Sequence, residues 1–381
     1  MLFNDIPGRE EVKAYFHKIV EEDRVPHAIL LSGGEGYGKL QMALGFSALL
    51  QCQDRQSTGA CGNCNSCSKI LQLIHPDLHL AFPVVKKDKL KREDTTAKDF
   101  IAEFRSFVLE HPYGDLNDWL TQLNASDKPA NINKAECSQI LKNLGLKTYE
   151  GRYKIQIIWY ADYLEKEGNR LLKLIEEPSD DTIIIMITNN STRILNTLRS
   201  RCQIINIPPT EDNAMLDYIK ANYELSEEDT QELAFLASGN LRKAQQLGHH
   251  QELNYSEELL DWLRLGYKAN AQQMVAFAND MSKRGKQEIV NFLEYGLHYF
   301  REYLLYLNTG ELDKLRLTTT EKKVAEEMTK IIDHGKTEQI RDIFELSIKQ
   351  IKRNVALKAL LMTRTLQINS ILRSEVDNLV P

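Results

Sequence analysis

The chain has 381 residues, 42% hydrophobic and 27% charged, an ordinary composition for a soluble globular protein of two or three domains. Its net charge of −6 and pI near 5.9 exclude a protein dominated by non-specific nucleic-acid binding, though not a local basic patch. No apolar run approaches the 18 residues of a membrane span, and the N-terminal stretch has no basic segment followed by an apolar core, so a cytoplasmic protein with no membrane contact is expected.

In chain order, His27–Ser32 (HAILLS) predicts a buried strand, and Met42, Ala43, Phe46, Leu49 and Leu50 then recur at helical spacing. Between them, Gly33–Leu40 reads GGEGYGKL, which departs from the phosphate-binding pattern G-x-x-x-x-G-K-[ST] only at its last position. Gly33, Gly38 and Lys39 are in place, but Leu40 has no oxygen to hold Mg²⁺, so efficient ATP hydrolysis is not expected. The plainer alternative is a glycine-rich turn without a ligand.

Four cysteines follow, Cys52, Cys61, Cys64 and Cys67, spaced C-x8-C-x2-C-x2-C in a turn-rich stretch. Four thiolates in this pattern suit a closed, structural Zn²⁺ site; the alternative, a disulfide pair, is disfavoured in a reducing cytosol. Cys137 and Cys202 lie apart and are not expected to join them.

His75–Phe82 (HPDLHLAF) predicts a second strand. Lys86–Asp99 is charge-rich and is expected to be solvated and mobile, while Phe100–Leu123 has the spacing of an inserted helix or two. The role of this 86–131 insertion is not legible. Asn133 is an N-cap candidate with Glu136 three residues on, a weak capping box. Lys154–Ala161 (KIQIIWYA), Thr182–Thr188 (TIIIMIT) and Gln203–Ile207 (QIINI) are short apolar runs that predict a parallel sheet with helices on both faces. Between the first two, Leu164, Leu171, Leu172, Leu174 and Ile175 form one helical face that stops before Pro178.

The Lys154 run ends without the carboxylate that would hold Mg²⁺ and orient water. The nearest acid, Asp162, is offset by two or three residues and reads as a helix-capping surface acid. Pro208-Pro209 reads as a domain boundary. From about Ser256 the pattern is nearly all helical, and Leu293, Leu297, Phe300, Leu304 and Leu307 form a narrow apolar stripe, suited to a bundle core or a subunit contact. The basic, amphipathic stretch Ile348–Arg373 reads as a packed bundle helix in preference to a DNA or membrane contact.

The segments PHAILLSGGEGYGK, CGNCNSC followed by HPD, NRLLKLIEEP, TLRSRCQIINIPP and SGNLRKA occur in this order between residues 26 and 244. In that combination the chain resembles the clamp-loader subunits of bacterial DNA polymerase III, a branch of the AAA+ family. It is similar to the delta-prime type more than to the motor subunits, which keep a GKT or GKS loop and an acidic pair. The resemblance implies an α/β AAA+ P-loop domain over 1–208 with the zinc knot at 52–67, a small helical lid over 209–250 and an all-α collar over 251–381.

It further implies that Arg201, in Ser200-Arg201-Cys202, is an arginine finger reaching the ATP site of a neighbouring subunit, with Arg193 and Arg199 as alternatives outside the motif. Asn189 falls at the sensor-1 position and Arg242 at sensor-2, beside Gly33, Gly38 and Lys39 of a degenerate nucleotide site. The implied partners are gamma/tau motor subunits and the delta subunit in a hetero-pentamer, and through it the sliding clamp and primed DNA. The expected role is a non-hydrolysing stator in DNA replication, with no activity alone. Two other readings are an ATP-hydrolysing, gamma/tau-like motor and a zinc-dependent nucleic-acid adaptor. Only Arg55 and Lys69 flank the knot, which weakens the last.

Overall fold

In the computed structural model, which describes residues 1–56, 59–87, 91–126, 128–248, 255–268, 270–353 and 355–373, five short apolar runs form strands: β1 (Ala28–Ser32), β2 (Leu78–Ala81), β3 (Lys154–Ile158), β4 (Thr182–Thr188) and β5 (Gln203–Asn206). They pair in the order β2-β3-β4-β1-β5, and every pairing is parallel. Because strand side chains alternate, Ile29, Leu31, Ile155, Ile157, Ile183 and Ile185 enter one core. Ala28, Leu30, Ile158, Ile184 and Met186 enter the other. The chain divides into two compact units, Met1–Asn222 with Ala237–Gln246, and Tyr223–Leu236 with Leu247–Pro381; Pro208-Pro209 lies inside the first. A lid-to-collar boundary at residues 250–251 lies outside the described residues.

The sheet carries helices α1 (Glu10–Glu21), α2 (Lys39–Gln51), α3 (Asn65–Leu71), α4 (Ile101–Glu110), α5 (Leu116–Gln122), α6 (Lys134–Leu144), α7 (Leu172–Glu176) and α8 (Asn196–Arg199). α9 (Asp212–Asn222), α10 (Glu227–Ala237) and α11 (Leu241–Gly248) follow. α1 and α2 bury Phe16, Met42, Phe46 and Leu49 on the first face; α6 and α7 bury Cys137, Ile140 and Ile175 on the second. The helical face expected at 164–175 is not one α-helix. Ala161–Leu171 is a 3₁₀ run interrupted where Glu165 takes φ 45°, and only then does α7 begin. Leu164, Leu171 and Ile175 are still buried, so the apolar pattern survives the change of helix type.

The charge-rich stretch before Phe100 departs from its expectation. Asp88–Leu90 lie outside the described residues, but Thr95, Ala97 and Phe100 are buried. A capping box between Thr96 and Asp99 starts a 3₁₀ turn that delivers Phe100 into the core. The whole excursion leaves and returns at one point, an antiparallel bridge in which Val84 and Asn131 exchange N–H···O bonds of 3.0 and 3.1 Å. Beyond the charged stretch, Phe100–Leu123 forms the two helices expected, α4 and α5, which carry an aromatic cluster. Phe104 stacks on Phe82 at 3.8 Å, and Trp119 stands edge-on to both while its indole N–H donates to the Pro83 carbonyl at 3.0 Å. Lys86, Lys91, Glu93, Asp94 and Lys98 are exposed, and it is the uncharged Thr95 and Ala97 among them that are buried.

Asn133 does cap α6, accepting from Glu136 N at 2.9 Å. The Glu136 carboxylate does not return the bond; it accepts from Ala97 N and so fastens the excursion to the helix. The HPD stretch also fastens backbone, since Asp77 accepts from the N–H groups of Tyr149, Glu150 and Gly151 at 2.6–2.9 Å and fixes the turn that leads into β3.

The second unit is helical, with α12 (Tyr255–Lys268), α13 (Ala271–Met281), α14 (Lys286–Thr309), α15 (Thr319–Met328), α16 (His334–Lys352) and α17 (Leu357–Arg373). Trp262 is fully buried, stacked on Phe344 at 5.4 Å, with its N–H on the Thr365 hydroxyl. The stripe on α14 is broader than predicted: Leu293 and Phe300 are buried, but Leu297, Leu304 and Leu307 only partly, and Tyr295, Tyr299 and Tyr303 join the core. A tyrosine can be buried when its hydroxyl finds a partner, here Glu321, the Met328 sulfur and the Ile332 carbonyl respectively. α17 packs in the bundle, and its buried Arg364 bonds Ser347 and Gln350. Among the described residues no helix is long and apolar enough to cross a membrane.

Candidate nucleotide cleft and metal centre

The loop after β1 has the backbone its glycines allow. Gly36 and Gly38 sit at φ 69° and 73°, and Gly38 is the N-cap of α2. A Cβ on Gly33 would meet the Ile207 carbonyl oxygen at 2.3 Å, so that position is closed to larger residues. Lys39 is buried, and its ammonium donates to the Gly33 and Gly34 carbonyls at 2.8 and 2.5 Å. Burial pushes it down to about 8, against the opposing pull of Glu35 and Asp162. Leu40, where a Mg²⁺ ligand would stand, packs into the apolar core under the sheet.

At the far side of the loop, β3 ends at Ile158 and is followed by Trp159 and Tyr160. Trp159 turns into the aromatic cluster, and Tyr160, at φ 52°, directs its hydroxyl to Glu35 at 3.0 Å. No carboxylate stands at the strand end. Asp162 does not act as a helix cap; it is half-buried and accepts from the Thr188 hydroxyl at the end of β4 at 3.1 Å. Asn189 donates toward the Tyr160 oxygen at 3.4 Å. Gly38, Lys39 and Asn189 line one cleft together with Tyr113, Gly114 and Asp115, which the sequence did not single out. The room it leaves for water-sized occupants is about 30 Å³, enough for one or two waters.

Arg242, on α11, approaches the same loop: Leu241 N donates to the Gly36 carbonyl at 3.1 Å. Its guanidinium is engaged by carboxylates. Nε and Nη2 form a fork on Asp118 at 2.6 and 2.8 Å, and Nη2 is 3.2 Å from Asp115. Burial would raise the Asp118 carboxyl, but the bond from Arg242 prevails and holds it below its ordinary value. Asp115, its carboxylate 1% exposed, is pushed up to about 6 by burial. The signal available in the sequence was the spacing Asp115-x-x-Asp118, a capping box at the start of α5.

The four cysteines converge. Their sulfurs all lie within 4.8 Å of one another, the one such group among the described residues. A tetrahedral Zn²⁺ with 2.3 Å bonds would hold its sulfurs about 3.8 Å apart, so the cage needs only a small contraction. Backbone N–H groups of Cys61, Cys64 and Cys67 point at the sulfurs of Cys52, Cys61 and Cys64, at 3.2–3.5 Å, a bonding pattern that favours thiolates. Burial would raise Cys64, but the N–H donors of Gln53 and Cys67 help bring it down to about 7. None of the six cysteines is in a disulfide, and Cys137 and Cys202 stand apart from the cage. The donor set can hold a metal ion.

Arg201 lines neither site. It is exposed, with Nε 2.7 Å from Glu176 and Nη1 2.9 Å from the Thr197 carbonyl. Arg199 bonds Asn196 nearby.

The family model described as "DNA polymerase III, delta subunit" matches residues 8–211. The chain is 28% identical over 207 residues to DNA polymerase III subunit delta' of Bacillus subtilis, covering 54% of this chain and 49% of that protein. It is 28% identical over 222 residues to the delta' subunit of Pseudomonas aeruginosa, covering 58% and 55%. With the delta' subunit of Escherichia coli it shares 24% identity over 277 residues, 68% of this chain and 70% of that one. The chain thus spans about half the length of the first two relatives.

Proposed function

We propose a function from one premise: this chain belongs to the DNA polymerase III delta-subunit family, as a clamp-loader subunit of the delta-prime type. Our reading is that it works as a stator, a AAA+ subunit that does not hydrolyse ATP itself but assembles with gamma/tau motor subunits and delta in a hetero-pentamer. It would help load the sliding clamp onto primed DNA in the cytoplasm. The four cysteines would hold a structural Zn²⁺. Residues 209–250 would serve as lid and 251–381 as collar.

The observation that carries the reading is Leu40 in the apolar core with no acid at the end of β3, so that both protein groups needed to hold Mg²⁺ are absent. What such a subunit can offer is a charge for a neighbour's reaction. Arg201 suits this because its partner Glu176 is half-exposed, and pairs of that kind are worth about 0–1 kcal/mol. The guanidinium can therefore leave Glu176 at little cost. Placed on a transferring phosphoryl group, an arginine can accelerate the reaction by roughly 10³–10⁵.

The test is DNA-stimulated ATP turnover by a loader rebuilt with wild-type chain or Arg201→Ala, the chain alone serving as blank. A silent blank, with the site served by Arg201 slowed roughly 10³-fold in a complex that still assembles, is the expected result. Equal rates for the two loaders would sink the trans-arginine role, and turnover in the blank lost on Lys39→Ala would favour the gamma/tau-like motor instead.

A further inference from the structure

Residues 85–130 leave the fold and return to it at the Val84–Asn131 bridge, and the aromatic cluster around Trp119 holds them against the sheet. This anchoring brings Tyr113, Gly114 and Asp115 to the cleft formed by Gly38, Lys39 and Asn189. A phosphate-binding cleft works by offering cations and free N–H groups to an anion. Here the cations are already engaged. Arg242 is forked on Asp118 and touches Asp115, and Lys39 is folded back on the carbonyls of its own loop. The N–H of Leu116, which the start of α5 leaves without an intrahelical acceptor, donates to the Tyr160 hydroxyl, which in turn bonds Glu35. The two aspartates are themselves held rigid: Asp115 caps α5 by accepting from Asp118 N at 2.8 Å, and Asp118 accepts from Asp115 N at 3.0 Å.

We infer that residues 113–118 of the excursion are a built-in occupant of the phosphate-binding cleft, with the Asp115 and Asp118 carboxylates holding Arg242 in place of a nucleotide's polyphosphate. This rests on the reading of Gly33–Lys39 as a phosphate loop. The missing Mg²⁺ ligands make the subunit a poor hydrolase; the excursion independently keeps nucleotide out. Loss of hydrolysis and loss of binding thus have separate causes in this chain, one in Leu40 and the other about 75 residues away in sequence.

The experiment is equilibrium binding of a fluorescent methylanthraniloyl-ATP to the full chain, with and without Mg²⁺, followed by anisotropy. The proteins are wild type, Asp115→Asn/Asp118→Asn, and that pair combined with Lys39→Ala. Asparagine caps a helix as well as aspartate, so α5 is kept while two negative charges are removed. The double variant should bind roughly tenfold tighter or more than wild type, since the phosphates no longer meet like charge and Arg242 is freed. Lys39→Ala should abolish the gain. A folded double variant that binds no better than wild type, or a wild type that already binds tightly, overturns the inference. A gain that survives Lys39→Ala overturns the phosphate-loop reading on which it rests. Neither outcome touches the Arg201 experiment, which is read on the assembled loader. If circular dichroism finds the double variant poorly folded, Asp118→Asn alone, at the more exposed carboxylate (29%), carries the same expectations.

Discussion

Trp119→Ala tests whether the 85–130 excursion belongs to the core of the first unit. Trp119 has no exposed surface, and Phe82, Phe100, Phe104 and Phe107 surround its ring at 5.3–6.4 Å. Truncating such a residue costs about 3–5 kcal/mol in transfer and cavity terms. The substitution also strips the donor from the Pro83 carbonyl, a further penalty of about 1–3 kcal/mol that water entering the new cavity would reduce. A total of about 4–8 kcal/mol, less where water enters, is a large share of the roughly 5–15 kcal/mol that holds a typical domain folded. Trp119→Phe keeps most of the ring but loses the N–H, and should cost about 1–3 kcal/mol.

Urea unfolding followed by far-ultraviolet circular dichroism is the suitable assay, because tryptophan fluorescence would change with the loss of one of only three tryptophans. With two compact units the transition need not be two-state, so the loss should be read on the transition that the mutation moves. Limited proteolysis gives a local readout: the alanine variant should become sensitive between residues 85 and 130. An alanine variant that loses less than about 1 kcal/mol and resists protease would refute the reasoning, leaving the excursion as a surface appendage.

Two further outcomes are expected. The purified chain should carry about one equivalent of Zn²⁺, measured by colorimetric release. Cys64→Ser should lose the metal, and Cys137→Ser or Cys202→Ser should retain it; metal-free protein, or metal unaffected by Cys64→Ser, would exclude the four-cysteine site. Glu136 should make stability depend on pH. Burial raises its carboxyl from 4.5 to about 7, so the folded state holds a proton that the unfolded state has released across that interval. Its contribution is full below about pH 4.5 and falls as pH rises through 7, by up to roughly 3 kcal/mol. Glu136→Gln should flatten the difference between urea midpoints at pH 5 and pH 8; parallel profiles for the two proteins would show that the carboxylate stays ionised in the fold.

Much of the sheet was legible in the chain because short β-branched runs such as TIIIMIT, bounded by recognisable turns and separated by helical patterns, suit strands of a parallel sheet covered on both faces. The glycine-rich turn before α2, with Leu40 following Lys39, and the spacing of the four cysteines were legible for the same kind of reason: their geometry is local. The interrupted helix at Glu165 was not, since a 3₁₀ run and an α-helix can bury the same leucines. Nor was the tyrosine side of α14, because a phenol is polar or apolar according to whether a neighbour answers its hydroxyl.

The sequence by itself therefore determined the strands and the clustering pattern of the four cysteines, both of which depend on residues within a few positions of one another. The tertiary structure decided which groups face the cleft. Asp118 and Arg242 are 124 residues apart and Tyr160 and Glu35 125, and no periodicity or motif relates them. The closing of the excursion at Val84 and Asn131, with Trp119 buried behind it, brings Asp118 to Arg242, and the packing of the loop after β1 beside the residues that follow β3 brings Glu35 to Tyr160. Long-range polar contacts of this kind are selected by the packing that precedes them, so they can be read only after the chain has folded.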